Sequence, residues 1–153
     1  MTIRLEKMHA FDYQQYLNYA ISNFANEQIR AGIWEAQEAL YQATQLYKQL
    51  LPEGVTTEGH YLFTIRDSDQ KVGIIWLAQR PDEKGFIYDI NIWKDYRGKG
   101  YGKQAMKAIE IIAKQLGLTR LGLHVFGHNE IARNLYETLE YRETNIRMEK
   151  SLE

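Results

Sequence analysis

A strand, a glycine-rich turn and a helix follow one another between Gly85 and Gln115, and this succession constrains the fold more than any other stretch. The second half has apolar residues at steps of three and four, which predict an amphipathic helix. The first half is rich in the aromatic and β-branched residues that favour a strand: Phe86, Ile87, Tyr88, Ile90, Ile92 and Trp93. The stretch therefore predicts an α/β fold with a strand–turn–helix unit at its centre.

The turn itself, from Arg97 to Lys103, predicts an anion site. Glycines allow backbone conformations closed to other residues and let a ligand approach the main chain. The first amides of a helix have no internal acceptor and point outward. Together these features suit phosphate or pyrophosphate. Three basic side chains, Arg97, Lys99 and Lys103, add positive charge.

The two standard nucleotide signatures do not fit this turn. A P-loop requires G-x-x-x-x-G-K-[ST], and a dinucleotide fingerprint requires G-x-G-x-x-G. Counted from Gly98, the last glycine of either signature falls on Lys103. A nucleotide-binding protein is therefore disfavoured, and a glycine-rich turn without any ligand is the remaining alternative.

Two segments of the chain resemble the GNAT superfamily of N-acetyltransferases. Residues Arg97 to Gly102 match its R/Q-x-x-G-x-G/A signature, and Val125 to Tyr136 resembles its strand-Asn-x-x-A-x-x-L-Y element. The two lie in the family's order and cover about the last seventy residues. The chain is accordingly identified as resembling a small member of this superfamily, with residues 1–153 forming a single N-acetyltransferase domain.

Composition agrees with one ordinary globular domain of 153 residues. The net charge of −1 gives no overall attraction to nucleic acid or to anionic membranes, so neither is expected as a partner. The absence of cysteine excludes disulfides, thiolate metal sites and a cysteine nucleophile. No apolar run approaches ~20 residues and no signal peptide is recognised, so we expect a cytoplasmic protein.

Hydrophobic periodicity predicts the element order β-α-α-β-β-β-α-β-α-β. This order indicates an α/β (α+β) chain with a mixed sheet flanked by helices, and the resemblance implies that the sheet is mostly antiparallel. The resemblance implies in addition that the central pair of parallel strands splays apart to admit the pantetheine arm of the cofactor. The predicted strands are 2–7, 60–66, 71–79, one from 86, 120–126 and 142–150, and the helices are 11–29, 33–51, one ending at 115, and 130–141.

The resemblance implies a site for acetyl-CoA. Its pyrophosphate would lie on the loop amides, and the signature opens with Arg97. The strand edge before the loop would pair with the pantetheine, with the Ile92 N–H polarising the thioester carbonyl. The alternative for Lys99 and Lys103 is a solvated helix start, and the alternative for the strand edge is an ordinary buried strand. The implied cofactor-binding residues are Ile90, Asn91, Ile92, Arg97, Gly98, Lys99, Gly100, Tyr101, Gly102, Lys103 and Asn129.

Asn129 and Tyr136 are seven residues apart, which places them on about the same face of a helix. Asn129 either caps this helix or contacts the cofactor arm. By resemblance Tyr136 is the general acid that protonates the departing CoA thiolate. A tyrosine with a pKa about 10 is protonated at neutral pH and can donate, whereas the alternative is a core tyrosine.

The sequence identifies the general base less clearly than the general acid. Asp89 is a carboxylate in an apolar strand, where isolated charge is costly, so it serves either as a base or as a structural ion pair. The other candidates are His60, Glu27 and Glu35. His124 and His128 lack a third ligand at suitable spacing, and no metal is expected.

The resemblance implies that the acceptor site borders residues 24–34, and the candidate substrate-binding residues are Glu27, Trp34 and His60. The leading hypothesis is an enzyme that transfers acetyl from acetyl-CoA directly to a primary amine in a ternary complex. The alternative is a non-catalytic acyl-CoA-binding module. The acceptor could be a small molecule or a peptide, and a homodimer is a possible assembly.

Overall fold

The computed structural model describes residues 2–153, which form nine helices and strands of regular structure. Two short 3₁₀ turns, Gly54–Thr56 and Lys94–Tyr96, interrupt the loops. The strands are β1 (Ile3–Lys7), β2 (His60–Asp67), β3 (Gln70–Arg80), β4 (Lys84–Ile92) and β5 (Arg120–Leu123), and the helices are α1 (Ala10–Arg30), α2 (Ala36–Leu50), α3 (Tyr101–Gln115) and α4 (Glu130–Thr138).

The five strands form one sheet in the order β1-β2-β3-β4-β5. Neighbouring strands are antiparallel except β4 and β5, which are parallel and joined through α3. A parallel pair needs such a crossover, because a tight hairpin turn joins only antiparallel strands. The predicted fold class, a mixed and mostly antiparallel sheet flanked by helices, is confirmed.

Each face of the sheet carries its own core. The core under α3 includes Ile65, Ile75, Met106 and Ile109, all fully buried. The core under α1 and α2 is more aromatic, and its buried members include Tyr16, Tyr47 and Trp76. The sheet therefore separates an aliphatic layer, which holds the crossover helix, from an aromatic layer, which holds the first two helices.

A β-bulge at Tyr88 changes the alternation of side chains along β4. Trp76 of β3 lies opposite Asp89, but the next residue, Leu77, lies opposite Ile87, so Tyr88 is an extra residue. Ile87 and Ile90 consequently pack in the core under α3, while Tyr88 packs in the core under α1 and α2. The bulge lets Tyr88 and Asp89 face the same layer, although they are adjacent in sequence.

The parallel pair separates beyond its first four residues. β4 pairs with β5 only from Lys84 to Ile87, opposite Arg120 to Leu123. The remaining residues of β4, from Tyr88 to Ile92, have β3 on one side and no strand on the other. The splayed central pair implied by the sequence resemblance is present, and it opens toward the turn that precedes α3.

The predicted final strand, 142–150, is wrong. Residues 142–153 form no strand and are exposed throughout, with Ile146 at 68% and Met148 at 87% exposure. The physical reason lies in β5, which ends at Leu123 rather than at the predicted residue 126. An alternating segment becomes a strand only where a neighbouring edge supplies hydrogen bonds, and β5 offers four residues.

Other predicted boundaries shift by a few residues. α2 begins at Ala36 rather than 33, and α4 ends at Thr138 rather than 141. The turn after α4 places Glu140 at φ +69°, a conformation that favours glycine.

No helix in residues 2–153 combines the length and the hydropathy that crossing a bilayer requires.

We predict that Gly73→Ala destabilises the fold by about 1–3 kcal/mol, because a Cβ at Gly73 would lie 2.2 Å from the carbonyl oxygen of Asn91. Backbone atoms cannot move aside as a side chain can, so β3 and β4 would have to separate. Urea denaturation measures the change. Gly122→Ala in β5 is the matched control, since its Cβ would meet nothing nearer than Phe86 Cδ1 at 3.6 Å. Equal stability of the two variants would contradict this account.

Candidate functional site

The open edge of β4 presents backbone groups to the cleft between β4 and β5. The Trp93 N–H donates to the Val72 carbonyl at 2.9 Å, so Trp93 bonds toward β3. Because hydrogen-bonding directions alternate along a strand, Asn91 also bonds toward β3, whereas Ile90 and Ile92 direct their N–H and C=O groups to the cleft. This is the edge for which the sequence predicted main-chain contacts.

The glycine-rich loop leads directly into α3. Gly98 and Gly100 have φ values of +79° and +87°, and Gly100 is the N-cap of α3 without any side-chain cap. No N–H from Gly98 to Lys103 has an acceptor within residues 2–153. Six amides at the positive end of a helix dipole thus remain available to an anion. Loop and helix start together are the segment for which the sequence predicts a phosphate-type site.

Side chains of the loop have separate roles. The Tyr101 hydroxyl donates to Asp67 Oδ2 at 2.5 Å, and its ring is buried. This contact anchors the first turn of α3 to the end of β2 and leaves only the Tyr101 amide facing outward. Lys99 and Lys103 are exposed. The loop is therefore fixed by Tyr101, while Lys103 extends into solvent and the Lys99 ammonium lies 5.9 Å from the centre of the Tyr96 ring.

Arg97 lies along β4 rather than over the loop. Its Nε donates to the Ile92 carbonyl at 2.7 Å and its Nη2 donates to Asn91 Oδ1 at 3.2 Å. Asn91 in turn donates through Nδ2 to the Tyr19 hydroxyl at 2.7 Å. The chain of contacts links α1, the end of β4 and the start of the loop. The predicted residues Asn91 and Arg97 therefore meet each other at the mouth of the cleft.

Asp89 faces α1 because of the bulge in β4. Its Oδ2 accepts a hydrogen bond from the Tyr16 hydroxyl at 2.6 Å. Removal from water raises the pKa of Asp89 to about 6, although hydrogen bonds from Tyr16 and from the Ile90 N–H act in the opposite direction. The Tyr16 pKa lies well above its usual value, because the tyrosine is buried and faces the Asp89 charge. Asp89 is thus poised to exchange a proton near neutral pH.

Tyr136 of α4 lies close enough to Asp89 to respond to its charge. Burial, and then the Asp89 charge, raise the pKa of Tyr136 to about 12. The hydroxyl has no hydrogen-bond partner among residues 2–153. Tyr136 therefore keeps its proton at neutral pH and can donate it to a ligand in the cleft.

Asn129 is the N-cap of α4. Its Oδ1 accepts a hydrogen bond from the Ala132 N–H at 3.2 Å. This contact establishes the capping function, which the sequence left open beside a cofactor contact. The side-chain amide nitrogen keeps its two protons, so capping does not prevent Asn129 from donating to a ligand.

Glu27 lies near the end of α1, and Trp34 lies in the turn that follows it. Glu27 Oε2 lies 2.5 Å from Nε2 of His128, which precedes α4. Phe24 contacts both the Trp34 ring and the Phe126 ring. These contacts connect α1 to the segment between β5 and α4, so the predicted acceptor residues Glu27 and Trp34 lie together, whereas His60 lies apart on β2.

His60 is held in one tautomer. The Trp76 Nε1–H donates to His60 Nδ1 at 3.0 Å, which leaves the proton of the neutral ring on Nε2. Burial, and then the Arg80 charge, lower the pKa of His60. With its Nδ1 lone pair occupied and its Nε2 protonated, His60 is a hydrogen-bond donor. The arrangement argues against the suggested use of His60 as a base.

Several contacts were not predicted from the sequence. Tyr16 and Asp89 are 73 residues apart, and nothing in either segment indicates that they meet. The pairing of His128 with Glu27 spans 101 residues and was likewise missed. An isolated acid in an apolar strand was the one available signal, since it requires some buried partner. No group of three or more His, Asp or Glu side chains within residues 2–153 could hold a metal ion.

Comparison with known proteins yields a consistent set of relatives. The model of the Acetyltransferase (GNAT) family matches residues 17–141. The chain is 38% identical to YycN and 35% identical to YdgE, two N-acetyltransferases of Bacillus subtilis (strain 168) described as uncharacterized. These alignments cover 99% of this chain, 100% of YycN and 99% of YdgE.

Solved structures agree with the sequence relatives. The crystal structure of YycN from Bacillus subtilis superposes with a TM-score of 0.95 at 37% identity, covering 99% of each chain. The PaiA N-acetyltransferase of Thermoplasma acidophilum, solved in complex with coenzyme A, has a TM-score of 0.67 at 20% identity. That alignment covers 91% of this chain and 89% of PaiA, and it shows a shared fold.

We predict that Asp89→Asn makes the protein more stable relative to the parent as the pH rises. The folded-state pKa of about 6 exceeds the ordinary 3.8, so the stability that Asp89 contributes is present below about pH 4 and lost as the pH rises through 6. The variant does not titrate there, and its advantage should grow by on the order of 1–3 kcal/mol between pH 4 and 7.

Urea denaturation at pH 4, 5, 6 and 7 measures this difference. Asp95→Asn, at an exposed carboxylate in the turn Lys94–Tyr96, is the control and should show no such trend. Parallel stability curves for the parent and Asp89→Asn would contradict the assigned environment of Asp89.

Proposed function

Since this chain belongs to the Acetyltransferase (GNAT) family and is an acetyltransferase, we propose that it transfers the acetyl group of acetyl-CoA to a primary amine by direct attack in a ternary complex. The observation that carries the proposal is the row of six free amides from Gly98 to Lys103 at the start of α3, next to the open edge of β4. The amides can bind a pyrophosphate, and the open edge of β4 can pair with an extended arm.

Acetyl-CoA would lie between β4 and β5, with its pyrophosphate on the loop amides. The amide groups of its pantetheine arm would pair with the N–H and C=O of Ile92 and with the C=O of Ile90, as an added strand does. The Arg97 guanidinium occupies the Ile92 carbonyl in the free protein, so it would exchange this partner for the arm. The solved complex of PaiA with coenzyme A supports cofactor binding by this fold.

Tyr136 is the proposed general acid. As the amine nitrogen attacks the carbonyl carbon of the thioester, the carbon–sulfur bond breaks and the sulfur takes the Tyr136 proton. The Ile92 N–H would donate to the carbonyl oxygen as negative charge develops there. The resulting Tyr136 anion regains a proton from solvent, and the products are the acetylated amine and CoA.

Asp89 is the proposed general base. With a pKa of about 6 it is mostly ionised at pH 7, yet it is basic enough to accept the proton that the attacking amine loses. It acts directly or through a water molecule. Glu27 and Trp34 would border the acceptor on the side of α1, where the Glu27 carboxylate pairs with His128.

We expect Gly100→Asp to weaken acetyl-CoA binding by about tenfold or more. The variant places a carboxylate beside the proposed pyrophosphate position and requires a non-glycine residue at φ +87°. Gly117→Asp is the matched control, because Gly117 lies at the other end of α3 with φ +82° and no atom within 4 Å of an added Cβ. Isothermal titration calorimetry measures the affinities of the parent and of both variants for acetyl-CoA, ATP and NAD.

Gly117→Asp should lose stability through its backbone conformation and keep the parent's affinity for acetyl-CoA. Failure of the folded parent to bind acetyl-CoA or CoA would overturn the proposed function. If both variants lost acetyl-CoA affinity equally, the loss would come from a change in the fold, and the assignment of the loop as the pyrophosphate site would be wrong.

Tyr136→Phe should lower kcat by about a hundredfold or more while acetyl-CoA affinity is kept, because only the proton donor is removed. Thiol release in the presence of an amine panel gives kcat, and calorimetry gives the affinity. Tyr141→Phe is the control, since the neighbouring Tyr141 donates to Glu110 and has no assigned part in the reaction. Full activity of Tyr136→Phe would refute the acid assignment, and binding without thiol release for any amine would favour the acyl-CoA-binding module.

A further inference from the structure

Arg80, at the end of β3, is held in place by two aromatic rings. Its guanidinium carbon lies 4.1 Å from the centre of the Phe86 ring and 5.3 Å from that of Tyr88. Its Nη2 also donates to the Tyr88 hydroxyl oxygen at 2.8 Å. Stacking and hydrogen bonding restrict an otherwise flexible side chain, so the charge is positioned rather than merely solvated.

Arg80 has no acidic partner. None of the ion pairs in residues 2–153 includes it, so no carboxylate oxygen lies within 4.0 Å of its nitrogens. Its contacts with Phe86 and Tyr88 leave the remaining guanidinium N–H groups unused. An ordered arginine without a counter-charge can bind a carboxylate in the bidentate manner.

Two further donors accompany Arg80. The Tyr88 oxygen accepts from Arg80, so its own O–H is free to donate. His60 stacks on Tyr88 at 5.8 Å between ring centres, and its contact with Trp76 leaves the proton on Nε2. The positive charge of Arg80 further favours neutral His60. Arg80, Tyr88 and His60 thus offer only donors, whereas a cation would need acceptors.

The donor cluster of Arg80, Tyr88 and His60 adjoins the proposed reaction centre. Tyr88 precedes Asp89, and the bulge directs both side chains to the layer of α1 and α2. The Trp76 ring stacks on Tyr88 at 4.6 Å and lies opposite Asp89 in the sheet. The cluster therefore begins at the residue next to Asp89, on the same face of β4.

We propose that the donor cluster is a carboxylate subsite for the acceptor, which would be an amine that also carries a carboxylate, such as an amino acid. The inference rests on the proposed function, because it places the acceptor's reacting nitrogen at Asp89. Its carboxylate would accept from the Arg80 guanidinium, the Tyr88 hydroxyl and His60 Nε2–H. The guanidinium would disfavour an acceptor with a second positive charge at this end.

The test compares ω-amino acids of increasing length with their primary amides, which keep the amine and lose the carboxylate charge. Glycine, β-alanine, 4-aminobutyrate and 6-aminohexanoate, each with its amide, are titrated against ¹⁵N-labelled protein in the presence of CoA. NMR follows the His60 Nε2–H and Arg80 Nε–H signals. At least one acid should bind about tenfold or more tightly than its amide, with both signals shifting.

Arg80→Gln should abolish this preference, while Arg4→Gln, at a remote exposed arginine on β1, should retain it. Equal binding of every acid and its amide, or a preference that survives in Arg80→Gln, would overturn the subsite. Calorimetry with acetyl-CoA separates the two proposals. Failure of the parent to bind acetyl-CoA would contradict the proposed function. The difference in affinity between each acid and its amide tests only the carboxylate subsite.

Discussion

The arrangement of the site depends on the extra residue that β4 inserts at Tyr88. In a regular strand Asp89 would share a face with Ile87 and lie against the aliphatic core under α3, where a carboxylate finds no partner. The bulge turns Asp89 toward Tyr16 and brings Ile90 into that core. The one-residue bulge thus allows β4 to pack against α3 on one face and to present a carboxylate to α1 on the other.

The second constraint is the early end of strand pairing between β4 and β5. Four residue pairs hold the two strands together, and beyond Ile87 the edge of β4 that faces away from β3 has no partner strand. Unpaired edges are costly inside a fold, but they are a ready site for an extended ligand. In the free protein Arg97 covers part of the edge through the Ile92 carbonyl. One carbonyl of this edge is therefore satisfied by a side chain rather than by a neighbouring strand.

Much of this architecture could be predicted from local signals. Periodicity placed the helices and strands within a few residues, because apolar spacing reflects burial directly, and the glycines of the loop marked positions with positive φ. The segment 142–150 failed, since its alternation says nothing about whether a neighbouring edge exists. Contacts such as that between Tyr16 and Asp89 could not be predicted from the sequence for a related reason. They depend on the bulge, and sequence periodicity does not reveal a one-residue shift.

In the proposed reaction the pKa values of Asp89 and Tyr136 are linked. The charge of ionised Asp89 helps to raise the pKa of Tyr136, so the acid is kept protonated while the base is free. Once Asp89 accepts the proton of the amine, that charge disappears and Tyr136 becomes more acidic, at the moment when the sulfur leaves. Uptake of one proton thus favours release of the other. A single electrostatic contact across the cleft therefore couples the two proton transfers without a direct hydrogen bond between the residues.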